Sequence, residues 1–148
     1  DARVALAWAS TAAGICETLS GCVANHSLEH PVSGHYNATH GAGLCATGPS
    51  LLEYIRPHIA ERLAEVARVM GAPESVIGVE ELSKMAIVLL RRLQKNVGLD
   101  ISLGELGVES SKLSILAEDA MRTMGGLVSV TPGNLKTEDL RNIYEMSM

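Results

Sequence analysis

Asn25-His26-Ser27-Leu28-Glu29-His30-Pro31-Val32-Ser33-Gly34-His35-Tyr36-Asn37-Ala38-Thr39-His40-Gly41 is the stretch on which the reading of this chain turns. His26 and His30 stand four residues apart, the spacing that puts two side chains on one face of an α-helix. Pro31 decides whether they do so: bending a helix, it leaves both on one face; starting one, it separates them. Tyr36 to Thr39 reads as a loop, and His40 then opens a Gly-rich run in which its ring would sit at a helix N-terminus. The helix dipole there disfavours imidazolium and leaves the ring ready to act as a ligand.

Imidazole is the commonest side-chain ligand for divalent transition metals, so the three histidines suggest a metal-dependent site. The bland alternative is that each is a hydrogen-bonded structural residue or a solvated one. Catalytic zinc or iron(II) sites take about three protein ligands and keep a position open. Glu29 is the nearest carboxylate, but it points about 100° away from His30 on a helix. It reads as a helix-face charge or a salt-bridge partner. Two or three histidines and no evident carboxylate are on offer.

Outward from this segment the chain reads as helices. Arg3 to about Glu17 is almost continuously small and apolar, which predicts a helix buried on most sides, weakened by Gly14 and Gly21. Gly41 towards Tyr54 predicts another, interrupted near Gly48-Pro49 and ending before Pro57. His58 to Met70 follows, with Gly71 as its terminator. Gly78-Val79 introduces an amphipathic helix to Lys95, with Leu82, Met85, Ala86, Leu89, Leu90 and Leu93 as its interior face. Glu109 or Ser110 starts the next, to about Met124, and Thr137-Glu138-Asp139 caps a last helix to Met146. No alternating strand pattern and no repeat appears. The expectation is an all-α bundle of about seven helices in one domain, residues 1–148.

Composition agrees. The 148 residues are 47% hydrophobic and 20% charged, a globular balance. Aromatics are 3% with no Phe, so Leu, Val, Ile, Met and Ala must fill the core. A net charge of −5 without a basic patch argues against nucleic acid as a partner. Cys16, Cys22 and Cys45 are odd in number and lack a CxxC. They read as buried free thiols in apolar helical stretches, which fits a cytoplasmic location. No signal peptide or long apolar run is present, so no membrane is expected. Asn37-Ala38-Thr39 matches a glycosylation acceptor, a match without weight in a cytosolic chain. The chain starts at Asp1 and is helical almost at once, as though it began part-way through a larger unit.

The run His26-x3-His30-Pro31 through Tyr36 to His40-Gly41 resembles the histidine signature of iron-containing alcohol dehydrogenases, His-x3-His-Pro and onward to His-Gly. Ala7-Trp8-Ala9-Ser10 looks like that family's preceding helix, and Arg68-Val69-Met70-Gly71 like its following segment. Leu99 to Leu106 and Thr137 to Tyr144 resemble its late loop and closing helix. The resemblance covers essentially the whole chain. It implies the C-terminal part of the all-helical metal-binding domain of a dehydroquinate-synthase-like fold, incomplete on its N-terminal side and lacking the family's NAD(P)-binding α/β domain.

Carried over residue by residue, the resemblance implies that His26 and His40 are two ligands of a catalytic divalent metal, usually Fe²⁺ and sometimes Zn²⁺. His30 becomes the catalytic histidine near nicotinamide and substrate, a proton relay. The family's other ligands, an Asp-x3-His pair, have no counterpart: Asp1 is followed four positions on by Ala5. The implied activity of the intact enzyme is hydride transfer between a small alcohol and NAD or NADP, giving an aldehyde or ketone, with the metal as Lewis acid. These 148 residues alone are expected to be inactive. The helix from Arg3 to Glu17 is expected to expose apolar surface towards missing segments, giving a homo-oligomer or association with the N-terminal part. Cys45, Gly48, Pro49 and Glu29 depart from the family's usual residues and bear on pocket shape and subfamily. The rival readings are a non-catalytic helical scaffold or interaction domain and a stand-alone metal-binding module.

Overall fold

Three prolines fall inside helical patterns, and how the chain absorbs them sets the architecture. A computed structural model describes all 148 residues. Six α-helices run in order: α1 Ala2–Ser20, α2 Ala24–Tyr36, α3 His40–Val69, α4 Val79–Asn96, α5 Leu113–Ser129 and α6 Thr137–Met146, with one 3₁₀ turn at Ser110–Lys112 before α5. There is no strand, and no helix is long and apolar enough to cross a membrane.

The all-α expectation holds, with six helices instead of about seven. The discrepancy lies in α3, where two expected helices form one rod through Pro49 and Pro57. Proline lacks the N–H that would bond the carbonyl four residues back. At Pro49 that carbonyl belongs to Cys45, and Gln94 Nε2 of α4 donates to it at 3.0 Å. The vacancy therefore becomes a fastening point for α4, and no break appears. Two residues after Pro57 the rod does bend, at Ile59 (φ −133°, ψ 19°).

This bend divides the interior. The larger core gathers α2, the first half of α3, the 103–108 turn, α5 and α6 around Leu28, Leu51, Leu103, Leu116, Leu140 and Tyr144. A smaller one joins the second half of α3 to α4 through Leu63, Ala64, Ala67, Leu82, Ala86 and Ile87. Ile59 packs against both. Each buried Leu or Ile contributes about 1.5–3 kcal/mol, so α4 rests on a handful of side chains. Gly71 (φ 88°) closes α3 as expected, with Ala72 N–H bonded to Ala67 O at 2.9 Å in a Schellman arrangement.

Other expectations need correction. None of the residues of α1 is buried and no helix packs along it, so the helix expected to be covered on most sides stands free. Its Val4, Leu6, Trp8, Ile15 and Leu19 are exposed, as the expectation of uncovered apolar surface on this helix had it. On α4, Leu93 is 50% exposed. Its place on the inner face goes to Gln94, drawn in by the Cys45 carbonyl. The cysteines are free but not buried: Cys16 is exposed on α1, while Cys22, in the 21–23 link, and Cys45 are half-buried.

Candidate metal centre

Helix α2 carries two of the three histidines, and its position is set by partners distant in sequence. Val23, its N-cap, supplies no side-chain bond. Thr131, from the loop after α5, substitutes: its Oγ1 accepts from Ala24 N–H at 2.9 Å and donates to Leu127 O at 2.7 Å. An orphan donor of the first turn is thereby satisfied. Ser27 Oγ donates to Met124 O at 3.0 Å, where α5 is itself kinked (Met124 φ −135°). Tyr144 of α6 is fully buried, and its hydroxyl donates to Leu28 O at 2.6 Å. Burial first, and then the charge of Glu29, push that phenol far above its usual range.

Asn25 locks α2 to α3. Its Nδ2 donates to Leu44 O at 3.3 Å, and its Oδ1 accepts from Thr47 Oγ1 at 2.8 Å. At the other end Asn37 (φ 52°) adopts the left-handed conformation that asparagine tolerates, and stops α2. His40 begins α3 two residues past Ala38. Pro31 lies inside α2 and does not start it, so His26 and His30 share a face.

Three imidazoles consequently converge. Ring centroids are 5.3 Å apart for His26 and His40, 5.6 Å for His30 and His40, and 6.2 Å for His26 and His30. His30 and His40 are exposed and His26 half-buried, so the rings line an open face. Two imidazoles sharing one tetrahedral ion, with N–metal distances of about 2.0–2.1 Å, hold their centroids about 5 Å apart. The His26–His40 pair is closest to that spacing.

Glu29 is where the sequence reading most needs revision. It is not a helix-face charge: it is 0% exposed. Its carboxylate pairs with His40 Nδ1 and accepts a hydrogen bond from Ser33 Oγ, which also lies 3.1 Å from Ala38 O. The salt-bridge reading of this residue fits, with a histidine as partner. Donor atoms of Glu29, His30 and His40 lie within 4.8 Å of one another. With Nδ1 of His40 engaged, Nε2 is its nitrogen left for an ion. The donor set is nitrogen-rich with a carboxylate behind it, which suits zinc or iron(II).

Two further groups flank the triangle and were not singled out from the sequence as site residues. Cys22 Sγ lies 3.9 Å from His26 Nε2 and 3.3 Å from Glu17 Oε1, with burial and then Glu17 raising the thiol's pKa. Beside His30 a cleft of about 470 Å³ is lined by Pro31, Gly34, His35, Asp119, Arg122, Thr123 and Met124. Asp119 pairs with Arg122 at 2.6 Å and His35 at 2.7 Å, and Arg122 first, then His35, hold its carboxyl below the usual range. No local spacing signals Asp119, 84 positions from His35. Glu29 did leave a trace, lying between Leu28 and Val32 on the turn that faces the core.

Comparison with known proteins gives a uniform result. The model of the Fe-containing alcohol dehydrogenase family, C-terminal, matches residues 1–148. Long-chain-alcohol dehydrogenase 1 of Geobacillus thermodenitrificans is 30% identical over 145 residues, 98% of this chain and 36% of that protein. NAD-dependent methanol dehydrogenase of Bacillus methanolicus is 31% identical over 120 residues, 81% of this chain and 32% of that protein. Among solved structures, an archaeal halo-thermophilic alcohol dehydrogenase from a Red Sea brine pool superposes with a TM-score of 0.84 at 30% identity, covering 92% of this chain and 35% of that one. The chain thus spans about a third of the length of the relatives it matches.

Proposed function

Because the chain belongs to the Fe-containing alcohol dehydrogenase family, we propose that it is the helical metal-binding part of an NAD(P)-linked oxidoreductase. The reaction is interconversion of a small alcohol with its aldehyde or ketone by hydride transfer. His26 and His40 hold a divalent ion, Fe²⁺ or alternatively Zn²⁺, and His30 is the catalytic histidine. The observation that carries the reading is the convergence of three imidazoles, the closest pair 5.3 Å apart. The names of the relatives, a long-chain-alcohol dehydrogenase and a methanol dehydrogenase, support the substrate class.

When bound, the ion would supply Lewis-acid polarisation of an alcohol oxygen, and a nicotinamide cofactor would supply the hydride acceptor. The chain's own residues do the rest. His26 and His40, from two helices tied together by Asn25 and Thr47, would hold the ion. His30, on the lip of the cleft, takes the hydroxyl proton on a ring nitrogen and releases it towards solvent. The free thiols Cys16, Cys22 and Cys45 support a reducing, cytoplasmic setting. The uncovered apolar side chains of α1 support association with a second copy or with the nicotinamide-binding part.

Elemental analysis after anaerobic loading with Fe²⁺ or Zn²⁺ tests this. His26→Ala and His40→Ala should each lose the ion, while His30→Ala should keep it and lose turnover in the whole enzyme. Metal retained without His26 and His40 would refute their role as ligands, and a wild-type chain that takes up no metal would favour the non-catalytic scaffold. Metal lost equally on His30→Ala would make His30 a ligand.

A further inference from the structure

We propose that Glu29 is the positioning residue of this centre: its buried carboxylate takes the Nδ1–H of His40 and so fixes the ring orientation and tautomer that leave Nε2 for the ion. The proposal rests on the reading of His40 as a ligand. Its support comes from burial, from partners and from the space around the side chain.

A carboxylate removed from water is expensive unless its oxygens are paired. Glu29 is fully buried, and each oxygen has one partner: Oε1 meets Ser33 Oγ, and Oε2 meets His40 Nδ1. No second hydrogen bond restrains the His40 ring, which begins α3 with half its side-chain surface in solvent. Without Glu29 an exposed imidazole would be free to turn and to carry its proton on either nitrogen. Ligating histidines generally donate their second ring N–H to a carboxylate, carbonyl or water, which sets the tautomer and raises ligand basicity.

The facing helix makes room for this side chain. A Cβ at Gly43 would come within 2.7 Å of Glu29 Cγ. Gly43 lies in regular helix with no positive φ, so its backbone does not require glycine. A glycine inside a helix costs about 1 kcal/mol relative to alanine. What alanine would displace here is the Glu29 stem, three residues along α3 from the ring that Glu29 holds.

The test pairs a volume-conserving variant without an acceptor, Glu29→Met, with one that keeps an acceptor, Glu29→Gln. Long-range ¹H–¹⁵N NMR on the metal-free protein, above the imidazole titration range, should find His40 as the Nδ1–H tautomer in wild type and Glu29→Gln. Glu29→Met should shift it towards Nε2–H. Zn²⁺ affinity by calorimetry should fall about 10–100-fold in Glu29→Met, with most of the loss recovered in Glu29→Gln. A wild-type His40 in the Nε2–H form overturns the proposal without any substitution, even if Glu29→Met fails to fold. Zn²⁺ bound through His40 with equal affinity in all three proteins overturns it too, while leaving the metal reading intact. A His40 tautomer that follows residue 29 in a protein that binds no Zn²⁺ supports the positioning role and refutes the metal reading alone.

Discussion

Replacing Tyr144 by Phe removes one oxygen from the fully buried interior of the larger core. That hydroxyl is the link between the last helix and the one carrying His26 and His30, donating to Leu28 O at 2.6 Å. Leu28 and Tyr144 are both fully buried, so water does not replace the lost donor. A buried hydrogen bond contributes about 0.5–1.5 kcal/mol net, and a carbonyl left wholly unpaired costs about 1–3 kcal/mol. Leu28 lies inside α2, so its carbonyl keeps a role in the helix ladder and the orphan penalty should be partial. The expected loss is about 1 kcal/mol, or a fall in Tm of about 2–4 °C for a chain of this size. Tyr144→Ala, which also empties the cavity, should cost about 3–5 kcal/mol. Urea unfolding followed by circular dichroism gives both numbers, provided the m-value is unchanged. Imidazole resonances of His26 and His30 should move in Tyr144→Phe, because their helix loses a strut between them. A Tyr144→Phe loss below about 0.3 kcal/mol with unmoved histidine signals would refute the claim that α6 holds α2 through this bond.

Three other perturbations follow from the geometry. Gly43→Ala gains about 1 kcal/mol of helix propensity but loses about 1–3 kcal/mol to overpacking against Glu29; a stabilised protein by urea unfolding would show that the Glu29 stem can yield. Asp119, with its carboxyl depressed by Arg122 and His35, contributes stability that is complete above the unfolded value of about 3.9 and is lost as pH falls through the lower folded value. The stability difference between wild type and Asp119→Asn should therefore shrink as pH falls below about 5; a difference that grew in acid would contradict the pairing. Trp8 is 68% exposed, so acrylamide quenching should rise on dilution if α1 is an association surface, in step with a fall in sedimentation coefficient. A concentration-independent monomer would remove α1 from that role.

Helices were legible in the sequence because their signals are local. Apolar spacing marked α4, the cap residues Thr137-Glu138-Asp139 marked α6, and Gly71 marked the end of α3. The histidine segment was legible for the same reason, apart from Pro31, whose two outcomes local rules leave equal. What escaped depended on distant partners. Gln94 replaces Leu93 on the inner face of α4 because Pro49 leaves the Cys45 carbonyl free 49 positions away. Thr131 caps α2 across 107 positions, and no capping pattern near Val23 announces it. Glu29 looked like surface charge because acids in helices usually are. Its burial needs Ser33, His40 and the gap at Gly43 together, and only the folded chain assembles them.

The bend at Ile59 carries a consequence for motion. With six buried side chains beneath the α3–α4 pair and seventeen in the larger core, the two bodies have unequal cooperative strength. Amide exchange in α4 should report an opening event of lower free energy than exchange in α2 and α5, with Ile59 as the pivot. Because Gln94 fastens α4 to Cys45, five positions past His40 on the longest helix, such an opening also releases a contact near the histidine triangle, so fluctuation of α4 is felt towards both ends of α3.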